Sequence, residues 1–235
     1  SRFVSRSPNI VEPQALKCSL ANRLLIIMII KTIKILLASL LLALLANAQS
    51  EPVLWLNFDD NVDDQSAEGN ETMILNDTAY GTDVPVALGV GRSLVLANGD
   101  WENQGVRVEG TESLNTDEFT LAYWINPAGP QGNAGLERLT SRGGDTFETA
   151  IGDRNAVGGA EPLTLSYYQG GWESTDITVP EKEWTHIAWR NTEAGDLELL
   201  VNGEQVFSGV GVPAGNIPAD AHMTIGTRHS EVEGF

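Results

Sequence analysis

From Val53 onward the apolar positions fall in short runs with strand-like spacing, broken repeatedly by Gly, Pro, Asn or Asp. Val53-Leu54-Trp55-Leu56-Asn57-Phe58 is the first such run, and it ends in an acidic stretch. Ser93-Leu94-Val95-Leu96 and Gly105-Val106-Arg107-Val108 lie on either side of a Gly/Asp turn, and Phe119–Ile125 stops before Pro127. Residues 162–168, 176–179 and 184–190 are bounded in the same way. The most specific local pattern is Asn202-Gly203 between two apolar-rich runs. It predicts a two-residue type I′ hairpin, because both turn residues need positive φ. No amphipathic helical period and no solenoid or propeller repeat interrupts this series. Short strands at regular spacing predict an all-β fold, a two-sheet antiparallel jelly-roll sandwich.

The segment before Val53 is patterned differently. Starting at Met28, Lys31 and Lys34 supply a positive region, residues 35–45 an apolar run, and Ala46-Asn47-Ala48 a small-residue cleavage site. The expected organisation is an upstream or misassigned segment over residues 1–27, a signal peptide over 28–48 and a β domain over 49–235. A membrane anchor over residues 24–46 is the alternative, but the two lysines leave the unbroken apolar run too short to span a bilayer.

Charge narrows the partners. The chain of 235 residues carries a formal net charge of −18. From Gln49 on, 8 Lys and Arg face 31 Asp and Glu, a net of −23. Such a surface repels nucleic acid, which needs basic patches, and suits neutral ligands, divalent cations or a high-salt setting. Simple solubility explains it equally well. The single cysteine, Cys18, lies upstream of the signal, so the β domain relies on its hydrophobic core rather than on disulfides.

Several stretches resemble a known family. Leu54-Trp55-Leu56-Asn57-Phe58-Asp59-Asp60-Asn61, with Asp63-Asp64-Gln65-Ser66 and Gly69-Asn70, resembles the first strand and loop of LamG-like jelly-roll domains, members of the concanavalin A-like lectin/glucanase superfamily. Phe119-Thr120-Leu121-Ala122-Tyr123-Trp124-Ile125-Asn126-Pro127 is similar to that family's central strand. Trp184-Thr185-His186-Ile187-Ala188, followed by Leu199-Leu200-Val201-Asn202-Gly203-Glu204, is similar to its late strand pair and hairpin. The resemblance implies a closing strand after a Gly-Phe; this sequence stops at Gly234-Phe235. The expectation is therefore a jelly roll missing its C-terminal closing strand, with the edge of residues 53–58 left unpaired.

Candidate chemistry is sparse. Retaining glycosidases need two carboxylates about 5 Å apart, and the family's hydrolases carry a Glu-x-Asp-x-x-Glu strand that is not found here. Glu173 and Asp176 have the wrong separation, and Asp196 and Glu198 lack a third acid. His186, His222 and His229 have no Gly-x-Ser-x-Gly elbow beside them. No catalytic residues are assigned. Asp59-Asp60-Asn61-Val62-Asp63-Asp64 offers the hard oxygens that Ca²⁺ takes, with Asp59, Asp60 and Asp63 as candidate ligands, although it is not an EF-hand loop. Trp101, Tyr167, Tyr168 and Trp172 lie in or beside Gly-rich loops and are the candidate ligand-binding aromatics. Alternation cannot turn both Tyr167 and Tyr168 inward. Trp55, Trp124, Trp184 and Trp189 lie in strand runs and are expected in the core. Asn70 and Asn76 head glycosylation sequons.

These features together point to a secreted or extracytoplasmic (periplasmic or cell-surface) binding module without catalytic activity, for a polysaccharide or an extracellular protein. Calcium is the candidate cofactor. Nucleic acid is not a partner, and a membrane is met only through the signal segment or a missing anchor. A structural or adhesive domain of a larger cell-surface protein and an unrecognised glycoside hydrolase are the alternatives.

Overall fold

Asn202 and Gly203 both take left-handed φ, 52° and 84°, so the chain reverses between β11 (Asp196–Val201) and β12 (Glu204–Val210) as a type I′ turn requires. The turn is also tied to β10 (Thr185–Asn191). The Asn202 N–H donates to the His186 carbonyl at 2.8 Å, and Asn202 Oδ1 accepts the His186 N–H at 3.0 Å. One short turn thus fixes the register of three strands.

The computed structural model describes residues 31, 33 and 34, and then 51–96, 104–110, 112–114, 116, 118–129, 136–142, 146–152, 163–211 and 222–227. The chain divides into two compact units, Ser1–Ser50 and Glu51–Phe235. In the first, Lys31, Ile33 and Lys34 are helical. Among the described residues no helix is long and apolar enough to cross a membrane.

The second unit is built from antiparallel strands. β1 (Thr72–Leu75), β4 (Gly105–Val108), β6 (Glu137–Arg142), β7 (Phe147–Ile151), β8 (Thr164–Tyr168), β9 (Trp172–Thr178) and β13 (Met223–Ile225) form one sheet in the order β1-β4-β13-β6-β7-β8-β9. A second sheet has the order β12-β11-β10-β5, with β5 spanning Phe119–Ile125. β2 (Ala79–Gly81) and β3 (Ser93–Val95) pair as a short ribbon. This is the expected jelly-roll sandwich.

Alternation along the strands builds the core between the two sheets. Phe147, Ile151, Leu165 and Tyr167 from the larger sheet meet Ile187, Trp189, Leu197 and Leu199 from the smaller one. A second cluster gathers Val106, Val108 and Met223 with Val62 and Leu114. Trp189, fully buried, needs a partner for its indole N–H. It donates to the Tyr123 hydroxyl at 3.0 Å, which lies 2.9 Å from Thr149 Oγ1, itself 2.7 Å from Thr140 Oγ1. This polar chain runs from the smaller sheet to the larger through the interior, and burial pushes the Tyr123 hydroxyl pKa far above its ordinary value.

Residues 53–58 keep the expected alternation and lack a strand partner among the described residues, but form no strand. Leu54, Leu56 and Phe58 turn inward onto the second cluster, and Val53, Trp55 and Asn57 are exposed, a strand-like alternation. Yet the run joins no ladder among the described strands. Its backbone is held by side chains instead. Val53 O accepts from Asn70 Nδ2 at 2.6 Å, and the Trp55 N–H donates to Asp64 Oδ1 at 2.9 Å. Trp55, 57% exposed, is not a core residue: the alternation that buries Leu54 and Leu56 turns it outward.

Candidate binding face

The face of the larger sheet turned away from the core carries a continuous row of side chains. Cross-strand register aligns Arg107 of β4 with Thr224 of β13, Thr224 with Ser141 of β6, and Ser141 with Glu148 of β7. Glu148 is opposite Tyr168 of β8, and Tyr168 opposite Trp172 of β9. Because neighbours such as Val106, Phe147 and Tyr167 point into the core, period-two alternation sends the whole row to the other side.

The middle of the row is buried, with Ser141, Glu148 and Thr224 at 0%, 1% and 0% exposure. Buried polar groups must be satisfied. Glu148 Oε1 accepts the Ser141 hydroxyl at 2.9 Å, and Oε2 faces Arg138 Nε at 3.2 Å. Arg138 Nη1 donates to the Leu136 carbonyl at 2.9 Å. The same guanidinium lies over the Trp172 indole, 4.7 Å from the ring centroid, and Tyr168 meets that indole edge-on at 5.5 Å. Trp172 and Tyr168 are each only half-buried. The outcome is an aromatic pair, open to solvent in part, held by a buried ion pair beneath it.

Of the four aromatics expected at a ligand site, Tyr168 and Trp172 come together on this face. Tyr167 does not. Its ring is buried between Trp189 and Phe207, each 5.8 Å away, and burial raises its hydroxyl pKa. The tyrosine pair splits as alternation demands, one inward and one outward. Trp101 lies outside the described residues. Arg138 and Glu148 were not singled out by the sequence; they belong to no motif and meet only because β6 and β7 pair across a hairpin.

The acidic loop is organised around Asp64 and Arg92. The Asp64 carboxylate accepts from the N–H groups of Trp55, Ser66 and Asn70, the Ser66 hydroxyl and the Asn70 side-chain amide, at 2.7–2.9 Å. Burial opposes its ionisation, but these hydrogen bonds outweigh that and bring the carboxyl pKa down to about 2. Asp59 Oδ1 accepts the Arg92 N–H at 2.9 Å, and Asp60 pairs with the Arg92 guanidinium at 3.2 Å. Arg92 thus already occupies an oxygen of Asp59 with its N–H and pairs the Asp60 carboxylate with its guanidinium. Asp63 is exposed, and among the described residues no three His, Cys, Asp or Glu side chains are placed to hold a metal ion. The residues as arranged do not fit calcium. Asn70 is buried, with its amide nitrogen donated to Val53 O and Asp64, so this sequon is committed to the fold.

Comparison with known proteins places the chain in a family. Residues 98–235 match the Laminin_G_3 profile of the concanavalin A-like lectin/glucanases superfamily, and the chain belongs to that family. No protein of curated function matches in sequence. Among solved structures it is similar to domain 4 of AbnA, a GH43 extracellular arabinanase from Geobacillus stearothermophilus, in complex with arabinotriose. That likeness has a TM-score of 0.56 and 17% identity, over 77% of this chain and 85% of that one. It is also similar to the binding domain of botulinum neurotoxin DC in complex with rat synaptotagmin II, with a TM-score of 0.57 and 12% identity, over 75% of this chain and 43% of that one. The binding domain of Paraclostridial Mosquitocidal Protein 1 gives a TM-score of 0.55 and 16% identity, over 77% and 46%. The chain spans less than half of either toxin domain. At these identities the likeness is one of fold.

Proposed function

We propose that this chain is a non-catalytic carbohydrate-binding module that works outside the cytoplasm, and that a glycan lies against Tyr168 and Trp172. One observation carries the reading: an aromatic pair, partly open to solvent, is fixed from below by the buried Arg138–Glu148 pair. A rigid aromatic plane suits the C–H face of a sugar ring, and pre-organisation lowers the entropy cost of binding. The arabinotriose-bound domain of similar fold supports a glycan as the ligand class. The lysine-bearing apolar run and small-residue cleavage site over residues 28–48 support export.

A non-catalytic role is supported by the chemistry of the row. Its one carboxylate, Glu148, is bound to Arg138 and Ser141, whereas glycoside hydrolysis uses two carboxylates flanking the scissile bond.

Titration of a panel of neutral oligosaccharides, arabinotriose included, tests the reading. Trp172→Ala should weaken binding by at least about tenfold, roughly 1.4 kcal/mol. Unchanged affinity would remove Trp172 from the site. Silence across the whole panel would favour a protein-adhesive domain instead, for which the exposed Val86 (96%) and Val90 (89%) offer apolar contact.

A further inference from the structure

We infer that this face selects neutral glycans and rejects those bearing carboxylates, such as uronic or sialic acid chains; the inference rests on the glycan reading above. A sugar acid needs a cation that can still be shared, usually a guanidinium offering a fork of N–H donors. Arg138, the guanidinium beside Trp172, is committed: to Glu148 through Nε, to the Leu136 carbonyl through Nη1, and to the indole face. Arg107, at the far end of the row, pairs with Glu109 at 2.8 Å.

The buried ion pair therefore presents no net positive charge to a ligand. A carboxylate arriving at Trp172 would lose hydration without gaining an uncommitted cation, because Glu148 already neutralises the Arg138 guanidinium that lies against the indole. The chain as a whole carries −18, which adds long-range repulsion of an anionic ligand. A neutral sugar meets none of these costs, since its hydroxyls can donate to carboxylate oxygens and accept from ring or amide N–H groups.

Matched pairs of ligands test this on the full chain. Each neutral oligosaccharide that binds is compared with its C6-oxidised acid, and trigalacturonate with its methyl ester. Titrations are run at about 0.1 M and about 0.5 M NaCl, the latter cutting the screening length to roughly 4 Å and removing long-range repulsion. The neutral member should bind at least about tenfold more tightly at both salts. In Glu148→Gln, which keeps the shape and removes the charge, the preference should shrink to a few-fold; a thermal melt checks that the variant folds. If it does not fold, the wild-type comparison at high salt decides. Acids binding as tightly as their neutral partners would overturn the inference and leave the glycan site standing. A preference that vanishes at high salt would also overturn it, assigning selection to net charge. Binding of neither class would overturn both readings.

Discussion

Asp64 shows how much one side chain can hold. Its carboxylate replaces a strand neighbour, taking the Trp55 N–H of the unladdered run and closing the loop to Asn70. The carboxyl pKa is depressed to about 2 from an ordinary 3.8. The stabilisation it gives is therefore fully present above about pH 4 and is lost as pH falls through about 2. Because the site is partly solvated, screening reduces the contribution to about 1 kcal/mol. Asp64→Asn should lower stability at pH 7 by about that amount, and the two proteins should converge below about pH 2. Denaturant melts from pH 2 to 7 measure this; a constant gap across the range would mean that the carboxylate charge is not what holds the loop.

The residue scale also shows what the sequence could and could not reveal. Asp64 lay inside the acidic string, but nothing in the string distinguishes an acceptor of backbone N–H groups from a metal ligand. For Asp64 the distinction depends on Trp55, Ser66 and Asn70, and for Asp59 and Asp60 on Arg92, which lies beyond β2 and is in contact only after folding. Tyr167 and Tyr168 are a gentler case. Adjacency alone requires them to face opposite ways, and the structure supplies the direction through Trp189 and Phe207.

At the scale of elements, strands with an apolar face and a clear turn were legible. The 196–210 hairpin is the clearest, since Asn202-Gly203 specifies its own geometry. β6 and β7 were not read as strands. Glu137-Arg138-Leu139-Thr140-Ser141-Arg142 is mostly polar, and Phe147-Glu148-Thr149-Ala150-Ile151 mixes polar with apolar residues, because one side of each serves the buried row and the other includes the Thr140–Thr149 bridge. Polar satisfaction within the fold, not apolar pattern, makes these residues strands. The candidate site was correspondingly half visible: its aromatics by composition, its ion pair not at all.

β4 illustrates a backbone constraint at this scale. Gly105 takes φ 151°, and a Cβ there would run into the Ile225 carbonyl oxygen of β13. Gly105→Ala should cost more than about 2 kcal/mol through strain and a displaced β4–β13 ladder. That corresponds to a Tm drop of roughly 5 °C or more for a domain of this size. A melt within a degree of wild type would show that β13 can move aside freely.

For the whole molecule, the strongly acidic balance invites a divalent cation, and the acidic loop invites one most. The structure answers locally with Arg92. Calcium against EDTA should therefore shift Tm by less than about 2 °C, since only a ligand that binds the native state stabilises it. A larger shift would restore Asp59, Asp60 and Asp63 as a metal site.

The central claim is that a glycan sits on the face bearing Tyr168 and Trp172. The most direct test is an NMR titration that follows the tryptophan indole N–H signals while a neutral oligosaccharide that binds the chain is added, with the Trp172 signal assigned through Trp172→Phe. The account predicts a saturable shift of the Trp172 signal and little change for Trp189, buried in the core. A saturating shift confined to other tryptophans, with Trp172 unmoved, would contradict it.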